Sequence, residues 1–185
     1  MNEQLHDLSA LFRSGERITL LRTVLILPAC TVQQIATKTG LSKGLVSPYL
    51  VLLEHEGLLE KKDRTYTLKF SPLTVSVKRL LNIDLVTSIF KKPVWAMGIG
   101  MYGSWAEGTN TEESDIDLWL YGENLPSGTA VAELERGISR AFSAEVHILV
   151  LNSDKITAMK KTDEPFYRSF VRQKITLEGE SPDTT

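Results

Sequence analysis

The stretch GSWAEGTNTEESDIDLWL, Gly103 to Leu120, decides how this chain is read. Asp115 and Asp117 alternate with Ile116 and Leu118, the period-two pattern of a strand. Side chains two apart on a strand share a face, so the two carboxylates project together about 7 Å apart along the chain. That arrangement suits a magnesium ion, which takes hard oxygen ligands, keeps several waters and is completed by substrate phosphates. Upstream, Lys91-Lys92-Pro93 marks a boundary, and Val94 to Met101 reads as a short apolar strand running into Gly103. A strand that turns through Gly103-Ser104 into a helix exposes backbone N–H groups at a positive helix end, where a triphosphate can be held. Ser104 adds a hydroxyl. Metal ions and an anion-binding turn together suit in-line displacement of pyrophosphate by a hydroxyl, a reaction governed by positioning and charge neutralisation.

The run GSWAEGTNTEESDIDL resembles the Gly-Ser, ten or so residues, Asp-x-Asp signature of the DNA polymerase beta-like nucleotidyltransferase superfamily, in particular its minimal nucleotidyltransferases. The resemblance extends over about residues 93–178. It implies that Gly103 and Ser104 bind nucleotide phosphates and that Asp115 and Asp117 hold Mg2+ or Mn2+, with a nucleoside triphosphate as substrate. It also implies an acceptor hydroxyl, on a protein (as in antitoxins that adenylylate a partner toxin), on a small molecule or on RNA. The chain departs from the pattern twice. Glu107 stands where active members often carry arginine. The family's third carboxylate belongs on a later strand, here Glu145 to Val150, and aligning EVHIL with the family's pattern puts His147 in its place. Histidine is a poor magnesium ligand. Glu145, two residues earlier, faces the same side, so Glu145 and His147 both remain candidates for catalytic roles.

Around this core, helices are expected from about Thr129 to Phe142, from Ser153 to about Lys161 and from Asp163-Glu164-Pro165 to Arg172, with a closing strand Ile175 to Leu177. Lys160, Lys161, Arg168 and Arg172 are either a solvated helix face or a source of positive charge for a triphosphate. Residues 179–185 read as a tail.

The first half has a different pattern. Leu5, Leu8, Leu11 and Phe12 suggest a short amphipathic helix, and Glu16 to Leu27 a longer one that Pro28 stops. Thr31 is a good N-cap for a helix that Gly40 terminates, and Ser42 for another that closes at Gly57 with Pro48 awkwardly inside it. Leu58 to Lys62 and Thr65 to Phe70 then read as strands of a hairpin joined at Asp63-Arg64. This order, with the segment LVLLEHEGLLEK, resembles the winged-helix regulators of bacteria and archaea over about residues 15–70. The resemblance implies DNA as partner, with Ser42, Lys43, Ser47 and Tyr49 in the major groove and Lys61, Lys62 and Arg64 on phosphates. Leu73 to Phe90 is a further helical stripe, either a linker or the seam of a homodimer.

Charge supports the division. Residues 1–92 hold 13 Lys+Arg against 8 Asp+Glu, whereas residues 93–185 hold 8 against 15. A basic half suits a polyanion and an acidic half suits metal ions. No apolar run reaches the roughly 18 residues a membrane span needs, and the N-terminus lacks the marks of a secretory signal, so a cytoplasmic protein without a membrane partner is expected. The lone cysteine, Cys30, excludes an internal disulfide and reads as a small buried hydrophobe. The expected fold class is α/β (α+β): a winged helix-turn-helix over 1–72, a connecting helix over 73–92, and a nucleotidyltransferase domain with a small mixed sheet over 93–178. Two functions follow from it, a metal-dependent nucleotidyltransferase or a transcriptional regulator whose degenerate transferase domain senses nucleotide or contacts a partner protein.

Overall fold

The computed structural model describes residues 7–182; Leu5 of the first expected helix and the last three residues of the tail lie outside them. The chain divides at Lys78/Arg79 into two compact units. The order is α1 (Leu8–Leu11), α2 (Gly15–Leu25), β1 (Ala29–Cys30), α3 (Val32–Thr39), α4 (Lys43–His55), β2 (Leu59–Lys62), β3 (Thr65–Leu68), α5 (Pro72–Ile89), β4 (Gly98–Met101), α6 (Gly103–Glu107), β5 (Ile116–Tyr121), α7 (Gly128–Phe142), β6 (Val146–Leu151), α8 (Ser153–Thr162), α9 (Glu164–Gln173) and β7 (Ile175–Gly179). Helices and small sheets thus make an α+β chain, and the boundary between units falls inside α5.

In the first unit, α3 begins at a complete capping box. Thr31 accepts from the Gln34 N–H, and Gln34 returns a side-chain bond to the Thr31 N–H at 2.8 Å. These reciprocal bonds satisfy donors that the first turn would otherwise leave open. Gly40, at φ +71°, ends the helix in the left-handed conformation that glycine adopts without a Cβ penalty. Ser42 occupies the N-cap of α4 but makes no side-chain cap bond, and the helix runs through Pro48. The hairpin β2–β3 pairs antiparallel from Leu59↔Leu68 to Lys62↔Thr65, and Asp63 takes a positive φ in its turn. The short strand β1 adds to β3 through Ala29↔Thr67 and Cys30↔Tyr66. Sequence periodicity misses β1, since two residues carry no period. Leu20, Leu21, Leu25, Ile35, Val46, Leu50 and Leu53 are buried in this unit. Cys30 is buried as expected, and burial pushes its thiol up to about 11, which keeps it protonated and unreactive at neutral pH.

The second unit is a four-stranded mixed sheet in the order β6-β5-β4-β7. β4 runs antiparallel to β5 and β7, whereas β5 and β6 are parallel. The 15-residue α7 is the crossover that a parallel pair requires. The apolar stretch from Val94 becomes strand only at Gly98, and Val94 itself is exposed. β4 carries Gly98 and Gly100 because its neighbours come close: a Cβ on Gly100 would lie 2.0 Å from the Ile175 carbonyl oxygen and 2.4 Å from the Trp119 ring. One core joins Val86, Phe90, Ile99, Met101, Ile116, Leu118, Leu120, Ile138 and Val146, and a second cluster holds Trp119, Tyr121, Leu151, Ile156 and Phe170. The edge strand β6 has two backbone groups covered by side chains. The Ile148 N–H donates to Glu135 at 2.8 Å, and the Lys155 ammonium donates to the Val150 carbonyl at 3.1 Å. Asn152, one residue earlier than expected, caps α8 by accepting from the Lys155 N–H.

Candidate active site and helix-turn-helix face

β4 delivers the chain to the site. Its last pair is Met101↔Leu118, and the Tyr102 N–H then donates to the Asp117 carbonyl at 3.0 Å, so the turn at Gly103 is pinned beside Asp117. Gly103 sits at φ +63°, and a Cβ placed on it would lie 2.3 Å from Asp117 Oδ2. Both the backbone angle and the space therefore call for glycine here. The helix that follows, α6, is only five residues long and ends at Gly108. Ser104 lies in its first turn, and among the described residues its hydroxyl makes no hydrogen bond, while its carbonyl accepts from Thr109 and Asn110. Asn82 on α5 holds this turn from behind, donating at 2.9 Å both to the Trp105 carbonyl and to Asn110 Oδ1. Asn82 and Asn110 are both buried, and sequence reading passed over them because a lone asparagine on a helix or in a loop has no distinguishing pattern.

Asp117 is half-buried in β5, and Asp115 lies just before that strand, exposed. Burial is the main force raising the Asp117 carboxyl above the usual carboxylate range; the His147 charge opposes it and the Asp115 charge adds to it. The parallel register places Asp117 directly opposite His147. His147 Nε2 is 3.5 Å from Asp115 Oδ2 and 3.5 Å from Glu145 Oε1. Asp115, Glu145 and His147 each offer a ligand atom, all within 4.8 Å of one another. The structure thus gathers Asp115, Glu145 and His147 into one group, with Asp117 adjacent against the Gly103 turn. The donor set suits a divalent cation: a half-buried carboxylate with no side-chain hydrogen bond among the described residues is stabilised by an added positive charge.

The Tyr102 ring meets Phe170 edge-on at 5.5 Å and Phe166 at 6.4 Å, which ties the turn to α9. Its hydroxyl is pushed up to about 12, first by burial and then by the Asp117 charge. Glu107 is exposed in a groove it shares with Arg79, Thr109 and Arg172. Of the cations considered above, Arg168 is paired with Glu164 at 2.6 Å and Lys160 lies over the Tyr167 ring at 5.3 Å, whereas Arg172 borders α6.

In the first unit, Lys43, Ser47, Lys61 and Arg64 line a common groove between α4, the hairpin and the start of α3, where Thr31 and Gln33 join them. Ser42 and Lys62 are exposed beyond its lining. Lys61 Nζ lies 5.3 Å from the Tyr66 ring centre. Tyr49 does not belong on this face. It is only 3 % exposed, its hydroxyl donates to the Leu11 carbonyl at 2.9 Å, and the Arg17 guanidinium covers its ring. The groove assignment of Tyr49 is therefore corrected to a packing role. On α4 it lies three residues from Val46 and four from Leu53, on the helix's buried stripe.

Comparison with known families agrees with this division. Residues 83–164 match the family described as polymerase beta, nucleotidyltransferase, and residues 19–63 match the IclR helix-turn-helix domain. The chain thus joins a helix-turn-helix domain to a nucleotidyltransferase-fold domain. Comparison with curated proteins finds no match. Among solved structures the chain is similar to the tri-AMPylated Shewanella oneidensis HEPN toxin in complex with MNT antitoxin, at 17% identity over 55% of this chain and 73% of that one, with a TM-score of 0.38. It is also similar to a toxin-antitoxin complex with AMP-PNP, at 22% identity over 55% and 73% with a TM-score of 0.38, and to a mutant of the toxin-antitoxin MntA-HpeT, at 19% identity over 57% and 76% with a TM-score of 0.39. Among the described residues no helix is long and apolar enough to cross a membrane.

Proposed function

We propose that the second unit transfers a nucleoside monophosphate from a nucleoside triphosphate to a hydroxyl acceptor with the help of a divalent cation, and that the first unit binds DNA. The observation that carries the transferase reading is the contact between the Gly103 turn and Asp117. The turn is built so tightly that a single added carbon would strike the carboxylate. A phosphate received by the turn is therefore held next to the cation ligands. Gly103 and Ser104 hold phosphate oxygens, the Ser104 hydroxyl being free to donate. Asp115 and Asp117 would hold the metal ions, with Glu145 and His147 beside Asp115. When bound, the cation neutralises phosphate charge in the transition state. Arg172 and Arg79, in the groove beside α6, supply the positive charge that Glu107 does not.

Labelled triphosphates, Mg2+ or Mn2+ and candidate acceptors test the reading. Transfer should disappear in Asp115→Ala and Asp117→Ala. Triphosphate binding without transfer to any acceptor would instead identify a nucleotide sensor.

DNA binding rests on the groove that gathers Lys43, Ser47, Lys61 and Arg64 between α4 and the hairpin. Affinity for duplex DNA should fall steeply with salt, and removing Lys61, Lys62 and Arg64 together should reduce the log–log salt slope by about 3, near one per phosphate contact. Salt-independent or absent binding would refute this half of the proposal.

A further inference from the structure

The register of β5 and β6 gives the carboxylate site a nitrogen donor. Because the pair is parallel with Asp117 opposite His147, the imidazole and the Asp117 carboxylate occupy neighbouring positions on the same face of the sheet. The side chain at 147 is about half exposed, so nothing buries the ring away from solvent or from an ion. Its Nε2 lies equally close, 3.5 Å, to an oxygen of Asp115 and an oxygen of Glu145. Two donors that each sit about 2.1 Å from one ion can be at most about 4.2 Å apart. Both histidine pairs already satisfy that limit, and the third pair, within 4.8 Å, needs only a small rotation of two exposed carboxylates.

We propose that Asp115, Glu145 and His147 form a mixed nitrogen and oxygen site that selects a first-row transition-metal ion such as Mn2+ over Mg2+; this deepens the transferase reading and rests on it for its place in function. Mg2+ demands oxygen ligands and gives up its water reluctantly, so replacing a carboxylate donor by imidazole weakens its hold. Transition-metal ions take imidazole more readily than Mg2+ does, the later members of the series most of all and Mn2+ least. Asp117 remains outside this trio, against the Gly103 turn, where it is available to a cation that also meets the phosphates. Selection of the ion thus lies with residue 147, and contact with the nucleotide with residue 117.

The test uses the full chain freed of metal, titrated with Mn2+ alone and then with Mg2+ as competitor, without nucleotide. Pulsed electron paramagnetic resonance of bound Mn2+ should show coupling to an imidazole nitrogen, and that coupling should vanish in His147→Gln and His147→Asp. His147→Asp should also lower the ratio of Mn2+ to Mg2+ affinity, because it restores an all-oxygen site. The exposed position of His147 makes both variants compatible with the fold, and unchanged thermal unfolding of the metal-free protein verifies this. Absence of nitrogen coupling in the unmodified chain, or a ratio that His147→Asp leaves alone, overturns the proposal. The outcome separates from that of the transferase reading. Manganese selection without transfer retains the site and removes the activity, whereas transfer with no nitrogen coupling retains the activity and removes the site.

Discussion

Replacing Gly103 by alanine tests the geometry at its tightest point. The substitution has two consequences of different kind. At φ +63° an L-residue pays about 1–2 kcal/mol for the left-handed conformation. The same charge falls on Gly40→Ala and Gly57→Ala, at φ +71° and +74°, where nothing lies within 4 Å of the new Cβ. What sets Gly103 apart is the Asp117 oxygen 2.3 Å away. It belongs to the end of a side chain, so it can yield by rotation, and it must retreat by about 1 Å to reach an ordinary contact distance. A carboxylate moved that far no longer holds a cation against the turn, and misplacement of this size costs up to about 100-fold in rate. Stability of Gly103→Ala should therefore fall by a similar amount to the two control variants, measured by denaturant unfolding, while its transfer rate falls far more. In an Asp117→Ala background only the Asp117 Cβ, 3.5 Å away, would face the new methyl. There, Gly103→Ala should add no further functional loss. Equal losses of activity in both backgrounds would refute the reasoning.

Three further outcomes follow from the same structure. The Asp117 carboxyl is raised by burial, so the folded chain holds its proton more tightly than the unfolded chain; this group favours folding at low pH, and its contribution is lost as pH rises from its ordinary value through the raised one. In metal-free protein, Asp117→Asn should abolish that part of the pH dependence, and added divalent cation should stabilise the unmodified chain at neutral pH more than the variant; superimposable pH–stability curves would contradict the assignment. Tyr49→Phe removes the hydrogen bond to the Leu11 carbonyl and should cost about 1 kcal/mol of stability by denaturant titration, with DNA affinity unchanged. Asn82→Ala removes the donor of two hydrogen bonds, one to the part-buried Trp105 carbonyl and one to buried Asn110, and should destabilise the second unit by about 1–3 kcal/mol, with a loss of triphosphate affinity in direct titration as the turn behind Ser104 loosens.

Much of this was readable from residue order because the deciding signals are local. Gly40 and Thr31 mark helix ends through backbone angle and capping, and Gly103-Ser104 with Asp115-Ile116-Asp117 carries its own spacing. Long α7 and short β6 likewise follow from periodicity. What sequence order does not carry is pairing across distance. The parallel register that sets His147 against Asp117, the closeness of Asp115 to His147, and the Asn82–Asn110 support all depend on residues 28 or more apart in the chain coming together. Tyr49 shows the opposite failure. A tyrosine on an expected recognition helix reads as a groove contact, yet its place on the stripe with Val46 and Leu53 already pointed inward.

The cover over β6 bears on how the molecule keeps to itself. A sheet edge with unsatisfied backbone groups is a template for another strand, and half-buried Ile148, Leu149 and Val150 would make this one sticky. Glu135 occupies an edge N–H and Lys155 an edge carbonyl, so an incoming strand must displace two charged side chains before it can begin to pair. The same two residues that look like ordinary helix-surface charges thus act as gatekeepers against sheet-to-sheet aggregation, and they do so next to the strand that carries His147.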